Sequence, residues 1–295
     1  MKKHLPSAIK LLGFVIFVAV LWRTDREQLA QHIALANKEM LLVALFVVYG
    51  MYISKAIRWH TFIKAAGAKP HPVDSWHIFM IGVFLGIITP GRVGELGQAA
   101  YLRKHGIRTK AAISLVIFNR LVDVLLIMCI AIWGVGVLFG TTWSVIGILC
   151  FASCIVVLVL FRKHLRALRE LDWLQFLKLI TKPRTATIIV MWTLLGWAFY
   201  FTWAILIARA VNIDLSIPTL IAVLTIAGIV ATLPIAPSGL GTREAAMITL
   251  LTPLGITSSQ AVAFSMLIFA VIVSTGMLGG WYWMRENWQE DKEIP

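Results

Sequence analysis

The sequence predicts an all-α polytopic membrane protein with about six full spans and two re-entrant helical hairpins in an inverted-topology repeat. Three observations predict it. Of 295 residues, 59% are hydrophobic and only 14% charged, too apolar for a soluble domain. The basic residues behind the net charge of +13 sit at the ends of apolar runs, where they orient a membrane protein; nucleic acid is not an expected partner. The third observation is internal duplication. Thr89 to Glu95 reads TPGRVGE and Ala236 to Glu244 reads APSGLGTRE, and each glutamate is followed 11 positions later by a Gly-Ile pair, Gly106-Ile107 and Gly255-Ile256. The copies lie 149 positions apart, which divides the chain into a first repeat, residues 1–142, and a second, inverted one, 143–295. The functional site is expected where the copies meet.

The apolar run from Ser7 to Trp22 follows Met1-Lys2-Lys3 and has no A-x-A cleavage pattern after it, so an uncleaved first span is expected. A neutral polar loop, Arg23 to Glu39, precedes the second span, Met40 to Ile57. The basic loop after that span, with Lys55, Arg58, Lys64 and Lys69 against Asp74, is cytoplasmic by the positive-inside rule. Trp76 to Ile88 then offers about thirteen apolar residues where a crossing helix needs ~20. Pro90, Gly91 and Gly94 break it, and a new helix runs from Glu95 to Lys104. A joint crossing would put Arg103, Lys104, Arg108 and Lys110 outside, against the charge rule. A hairpin that enters and leaves on the cytoplasmic face avoids this, if protein or a wet cavity surrounds its irregular backbone.

Ala111 to Phe139 is the next span, with Arg120 and Asp123 three apart on one face. A short external turn, Thr141 to Ser144, leads to the span Val145 to Phe161. The basic segment Arg162 to Arg184, net +5 with leucines at every third position, is either an interfacial helix or a plain cytoplasmic loop helix. Thr187 to Val211 crosses outward, its aromatics Trp192, Trp197, Phe199, Tyr200, Phe201 and Trp203 reading as lipid-facing packing. Asn212 to Ser216 is external. Pro218 to Leu233 is a second incomplete helix, broken by Pro234, Pro237, Gly239 and Gly241; Glu244 opens a helix to about Leu254, and Ala261 to Met284 returns to the cytoplasm. Three crossings separate the hairpins, so the second opens from the outside and both termini are cytoplasmic.

Within the bilayer this leaves Arg92, Arg120, Arg209 and Arg243 against Glu95, Asp123 and Glu244. Arg209 can snorkel at a span end. Each of the others, unpaired, would cost ~2.5–3.5 kcal/mol at the membrane centre, so pairing is expected: Arg92 with Glu95, Arg120 with Asp123, Arg243 with Glu244. These six are the candidate substrate-binding residues, and two roles stay open for them. The pairs either staple the hairpins to the bundle, with Glu95 and Glu244 as first-turn acids, or join two helix N-termini in an anion site whose acids neutralise the arginines when it is empty. Duplicated charges beside duplicated helix breaks favour the anion site. Cys129, Cys150 and Cys154 fall in apolar runs, and the seven histidines lie outside the apolar cores without ligand spacing; no metal, cofactor or catalytic residue is expected.

PGRVGEL at Pro90 to Leu96, the Arg120-Leu-Val-Asp123 pair, and PSGLGTREA at Pro237 to Ala245 together resemble the lysylphosphatidylglycerol synthase transmembrane-region family, also called flippase-like. The resemblance covers nearly the whole chain. It implies a multi-pass protein of the bacterial inner membrane that moves a lipid with an anionic or phosphate-bearing headgroup between leaflets. In fused relatives the lipid is an aminoacylated phosphatidylglycerol, and some archaeal relatives are tied to polyprenyl-phosphate sugar carriers. Where the family pattern often places an arginine, a glutamate and a last-span arginine, this chain has Gln98, Asn119 and the apolar Phe269-Ala270. No stretch is long enough for a soluble aminoacyl-transfer domain, so the synthase reaction is not expected. The alternatives are a membrane-embedded transferase on a lipid-linked sugar carrier, using Glu95, Glu244 or Asp123 as base, and an accessory subunit of glycolipid or cell-envelope biosynthesis. A homo-oligomer is a further option.

Overall fold

The computed structural model describes the backbone of residues 5–161 and 181–293, with side chains over 13–153 and 181–286. The expected basic segment Arg162 to Arg184 lies largely outside the described residues, as does the side chain of Cys154. The described helices are α1 (Leu5–Arg23), α2 (Arg26–Ala34), α3 (Lys38–Ala65), α4 (Pro72–Ile88), α5 (Gln98–Lys104), α6 (Thr109–Phe139), α7 (Thr141–Phe161), α8 (Pro183–Ala210), α9 (Ile217–Thr232), α10 (Thr242–Leu251) and α11 (Ser258–Glu293). A 3-10 turn, Val93–Gly97, links α4 to α5, and another, Thr252–Leu254, follows α10. Among the described residues, four helices are long and apolar enough to cross a membrane: α3, α6, α8 and the Ser258–Glu286 part of α11. The chain is thus a multi-pass, all-helical membrane protein.

Helices α4 and α9 are apolar but fall well short. With 17 and 16 residues at 1.5 Å rise they measure about 25 and about 24 Å, below the ~30 Å of a hydrocarbon core. Pro72 sets the first turn of α4, and Asp74 accepts from the His71 N–H at 3.2 Å. The helix stops because Pro90 has no N–H to continue it; Thr89 Oγ1 donates to the Leu85 carbonyl (2.7 Å) and accepts from the Gly94 N–H (2.8 Å). Beyond the stop, Gly91 and Arg92 are both left-handed, with φ of +61° and +58°. The second break repeats this feature at Ser238, Gly239 and Gly241 (φ +50°, +71°, +83°). An arginine and a serine held left-handed are uncommon, and such backbone tends to sit at functional sites.

The two breaks touch. Pro90 and Pro237 face each other in an isolated antiparallel bridge, and Ser238 Oγ donates to the Ile87 carbonyl at 3.0 Å. Around them α3 runs along α8, α4 along α11, and α9 along α6. Trp59, Phe62, Trp203 and Ile207 are buried in the common core.

Several expectations need correction. Helix α3 continues past Ile57 to Ala65, so Lys55 and Arg58 lie inside it and not in a loop. The neutral loop contains α2, which buries Leu29 against Val262 and Ala263. Thr141 to Ser144 is the first turn of α7, separated from α6 by Gly140 alone. His60 and His77 belong to helices: His60 Nδ1 lies 2.8 Å from Ser75 Oγ, and the His77 ring stacks at 4.2 Å on Tyr282. Trp197, Phe201 and Trp203 are buried, not turned to lipid.

Candidate functional site

Arg58 is a fully buried charge, with no exposed surface. Its guanidinium grips Asp123 through both oxygens, Nη1 to Oδ1 at 2.9 Å and Nη2 to Oδ2 at 2.8 Å, the bidentate geometry that suits arginine. Nε donates to Asn119 Oδ1 (3.1 Å), and Nη1 also to Thr193 Oγ1 (3.0 Å). Asp123 accepts further from Trp197 Nε1 (3.1 Å) and Lys55 Nζ (3.4 Å), while Lys55 sits 5.0 Å above the Trp197 ring. The carboxylate therefore ties α3, α6 and α8 together. The expected Arg120–Asp123 pair does not form, because the three-residue spacing puts both side chains on one helix while Asp123 is claimed by the facing helix α3.

Arg120 turns instead to Glu95, Nη1 to Oε1 at 3.6 Å, and the same oxygen accepts from Arg92 Nε at 2.5 Å. Glu95 thus holds two arginines with one oxygen, and both arginines keep about a third of their side-chain surface exposed. The expected Arg243–Glu244 pair does form, at 3.2 Å. Ser265 joins it, accepting from Arg243 Nε (2.8 Å) and donating to Glu244 Oε1 (2.7 Å). Glu244 Oε2 accepts from the Gly241 N–H at 2.6 Å, so this acid does cap α10. Arg243 lies 5.5 Å over the Phe269 ring. Arg209 bonds the carbonyls of Ile213 and Leu215 and pairs with Asp214 at its helix end.

A cavity of about 250 Å³ opens where the helix breaks meet. Of the six candidate binding residues, Arg92, Glu95, Arg120, Asp123 and Arg243 line it; Glu244, fully buried behind Arg243, does not. Gly91 and Ser238 bring both breaks to its wall, whereas Pro90, Gly94, Pro237, Gly239 and Gly241 shape the breaks from behind. Lys55, Tyr52, Gln98, Asn119 and Trp197 are among the rest of the polar part, and Met51, Phe79, Met128, Leu224 and Ile268 among the apolar part. Four cations face two carboxylates there, leaving two positive charges in excess. Lys55 and Arg58 escaped the sequence reading because a basic residue near the end of an apolar run looks like a span boundary. No signal in the sequence tied either to Asp123, which they meet only through the fold.

A family model described as the lysylphosphatidylglycerol synthase TM region matches residues 9–280. The chain belongs to that family. It is also similar to a UPF0104 membrane protein of Pyrococcus horikoshii, 28% identical over 130 residues that cover 42% of this chain and 38% of the archaeal protein. That similarity therefore spans well under half of the relative's length. Family membership and the spans together identify a multi-pass membrane protein in which each of the three sequence motifs contributes residues to one cavity. Among the described residues no group of histidine, cysteine and acid side chains could hold a metal ion.

Proposed function

We propose that the protein is a lipid translocase that moves a phosphate-bearing lipid between leaflets through a midplane site between two re-entrant hairpins. The cavity at the meeting helix breaks carries this reading. Its surplus of two cations favours an anion. Its volume lies below the ~300–1,000 Å³ of pockets that enclose a drug-sized ligand, so it takes a headgroup and leaves acyl or prenyl chains in lipid. On this reading α1 and α7, of 19 and 21 residues, join the four long helices as spans, while α4 with α5 and α9 with α10 form the hairpins. The packing supports an inverted repeat: exchanging the halves turns the α4–α11 contact into the α9–α6 contact and returns α3–α8 to itself. The protein sits in a bacterial inner membrane with both termini cytoplasmic.

On this reading the lipid is moved without being altered. Of the three candidate bases, Asp123 has both oxygens occupied by Arg58, Lys55 and Trp197, and Glu244 both by Arg243, Ser265 and Gly241, which disfavours a proton-abstracting role for either. Glu95, which uses one oxygen for its arginines, is the base that the detergent test addresses. The test is leaflet exchange of a fluorescent phosphatidylglycerol in proteoliposomes. Wild-type protein accelerates exchange, and Arg92→Gln with Arg120→Gln abolishes it at unchanged expression. Exchange by the double variant at the wild-type rate overturns the translocase reading, as does a lipid-linked product formed in detergent by wild type but not by Glu95→Gln.

A further inference from the structure

The duplicated turn is closed in one copy and open in the other. Offset by the 149 positions of the repeat, Gly255-Ile256 answers Gly106-Ile107, and both glycines are left-handed, with φ of +85° and +80°. Thr257, Ser258, Ser259 and Gln260 then stand where the first copy has Arg108, Thr109, Lys110 and Ala111. Gln260 Nε2 donates to the carbonyl of Val211, the C-cap residue of α8, at 2.8 Å and so ties the turn to the end of that helix. The matching C-cap residue, of α3, is Ala66. Ala111 has no side chain that could span to it, and a cavity of about 370 Å³ lies there, lined by both alanines. His105, Arg108 and Lys110 line it too, and no carboxylate does. The positive-inside rule accounts for basic residues in such a loop but not for their meeting around a cavity.

We propose that this second cavity binds a phosphate group, held by His105, Arg108 and Lys110 between the end of α3 and the turn that joins α5 to α6. Basic side chains gathered without a counter-charge repel one another, and an anion among them turns that repulsion into charge-assisted hydrogen bonds. The volume falls in the ~300–1,000 Å³ range of ligand pockets, which leaves room for the group esterified to the phosphate. At a basic loop beside a membrane, that phosphate belongs either to the headgroup of an anionic lipid or to a soluble compound. The site shares no lining residue with the transport cavity and does not depend on the translocase reading. Its ligand is an effector, not cargo. It does in the first copy what Gln260 does in the second, clamping the turn to the neighbouring helix end, and α5 and α6 lead from that turn to Gln98 and Arg120 of the transport cavity.

The test uses the full chain in uncharged maltoside micelles, with Arg92→Gln and Arg120→Gln in the parent so that the transport cavity contributes least. Binding of inorganic phosphate and of dioctanoyl phosphatidic acid is measured by microscale thermophoresis at constant ionic strength. The parent binds at least one of them saturably, and adding Arg108→Gln with Lys110→Gln weakens that binding about tenfold or more. Ala111→Gln separates a built cavity from loose surface charge, because it keeps every cation and supplies the side chain that closes the second copy. It too weakens binding about tenfold or more. If Ala111→Gln does not fold, the Arg108→Gln, Lys110→Gln pair alone decides. Tighter binding of inorganic phosphate assigns the site to a soluble compound, and tighter binding of phosphatidic acid assigns it to a lipid headgroup. Saturable binding of neither overturns the proposal. So does an affinity that stays within about twofold of the parent's in folded Ala111→Gln or in the Arg108→Gln, Lys110→Gln variant.

Discussion

Replacing Arg58 by methionine separates what holds this fold from what binds a ligand. The change removes both bonds to Asp123 and those to Asn119 and Thr193, while Asp123 keeps Trp197 at 3.1 Å and Lys55 at 3.4 Å. Breaking a buried ion pair by removing one partner costs ~3–5 kcal/mol, because the other charge stays desolvated. The two remaining donors put the expected loss at the lower end, about 3 kcal/mol. Adding Asp123→Leu removes the stranded carboxylate, so the double variant should be more stable than Arg58→Met alone, with a coupling of about 1–3 kcal/mol. Equilibrium unfolding in mixed micelles, followed by far-UV circular dichroism, measures all four corners of the cycle. Arg58 does not line the cavity, so leaflet exchange per folded molecule of Arg58→Met should match wild type. A single variant within about 1 kcal/mol of wild type, or a double variant whose loss equals the sum of the two singles, would refute the reasoning.

The Arg243→Gln, Glu244→Gln double variant should fold, since the pair leaves together, yet lose on the order of tenfold to a hundredfold in exchange rate, because a charged donor to the phosphate is gone; full transport by the folded double variant would leave these residues as structural staples. Gly241→Ala should destabilise by about 1–3 kcal/mol in the same unfolding assay, as φ is +83° and the new Cβ would lie 2.3 Å from the Gly13 carbonyl oxygen. Single cysteines on a cysteine-free background should label at Lys69 from the cytoplasm and at Asn212 from outside. Labelling of position 212 from the cytoplasm alone would defeat the inverted arrangement.

Local chemistry made the helix breaks legible. Proline at 90 and 234 and glycine at 91 act within a few residues of themselves, and the structure stops α4 and α9 beside the two prolines. The capping role of Glu244 was readable for the same reason. The ion pairs divided by distance along the chain. Arg92–Glu95 and Arg243–Glu244 are three residues apart or adjacent, whereas Arg58–Asp123 joins residues 65 apart and depends on α3 lying across α6. Spacing within one helix suggested Arg120–Asp123, but two side chains on one face need not choose each other when a facing helix offers a bidentate partner. The aromatics of α8 misled in the same way. Composition cannot separate Trp197, which donates to Asp123, from Met191, which is half exposed.

The charges of this cavity fall into two kinds by how fully their bonding capacity is used. Arg58, Asp123 and Glu244 are saturated by protein partners, and two of the three are withdrawn from the cavity wall. Arg92 and Arg120 share one oxygen of Glu95 and stay partly exposed, so they are the groups with donors to spare. A membrane protein gains from this division. A cation left alone at midplane depth is expensive, so the empty site needs a counter-charge, but one held as firmly as Asp123 could not yield to a ligand. Glu95 meets both demands. It sits in the 3-10 turn directly after the left-handed Arg92, attached to the helix break and not to the α3–α8 core. On the proposed reading, a phosphate entering between Arg92 and Arg120 would replace this carboxylate with a group of the same sign and leave the Arg58–Asp123 pair untouched.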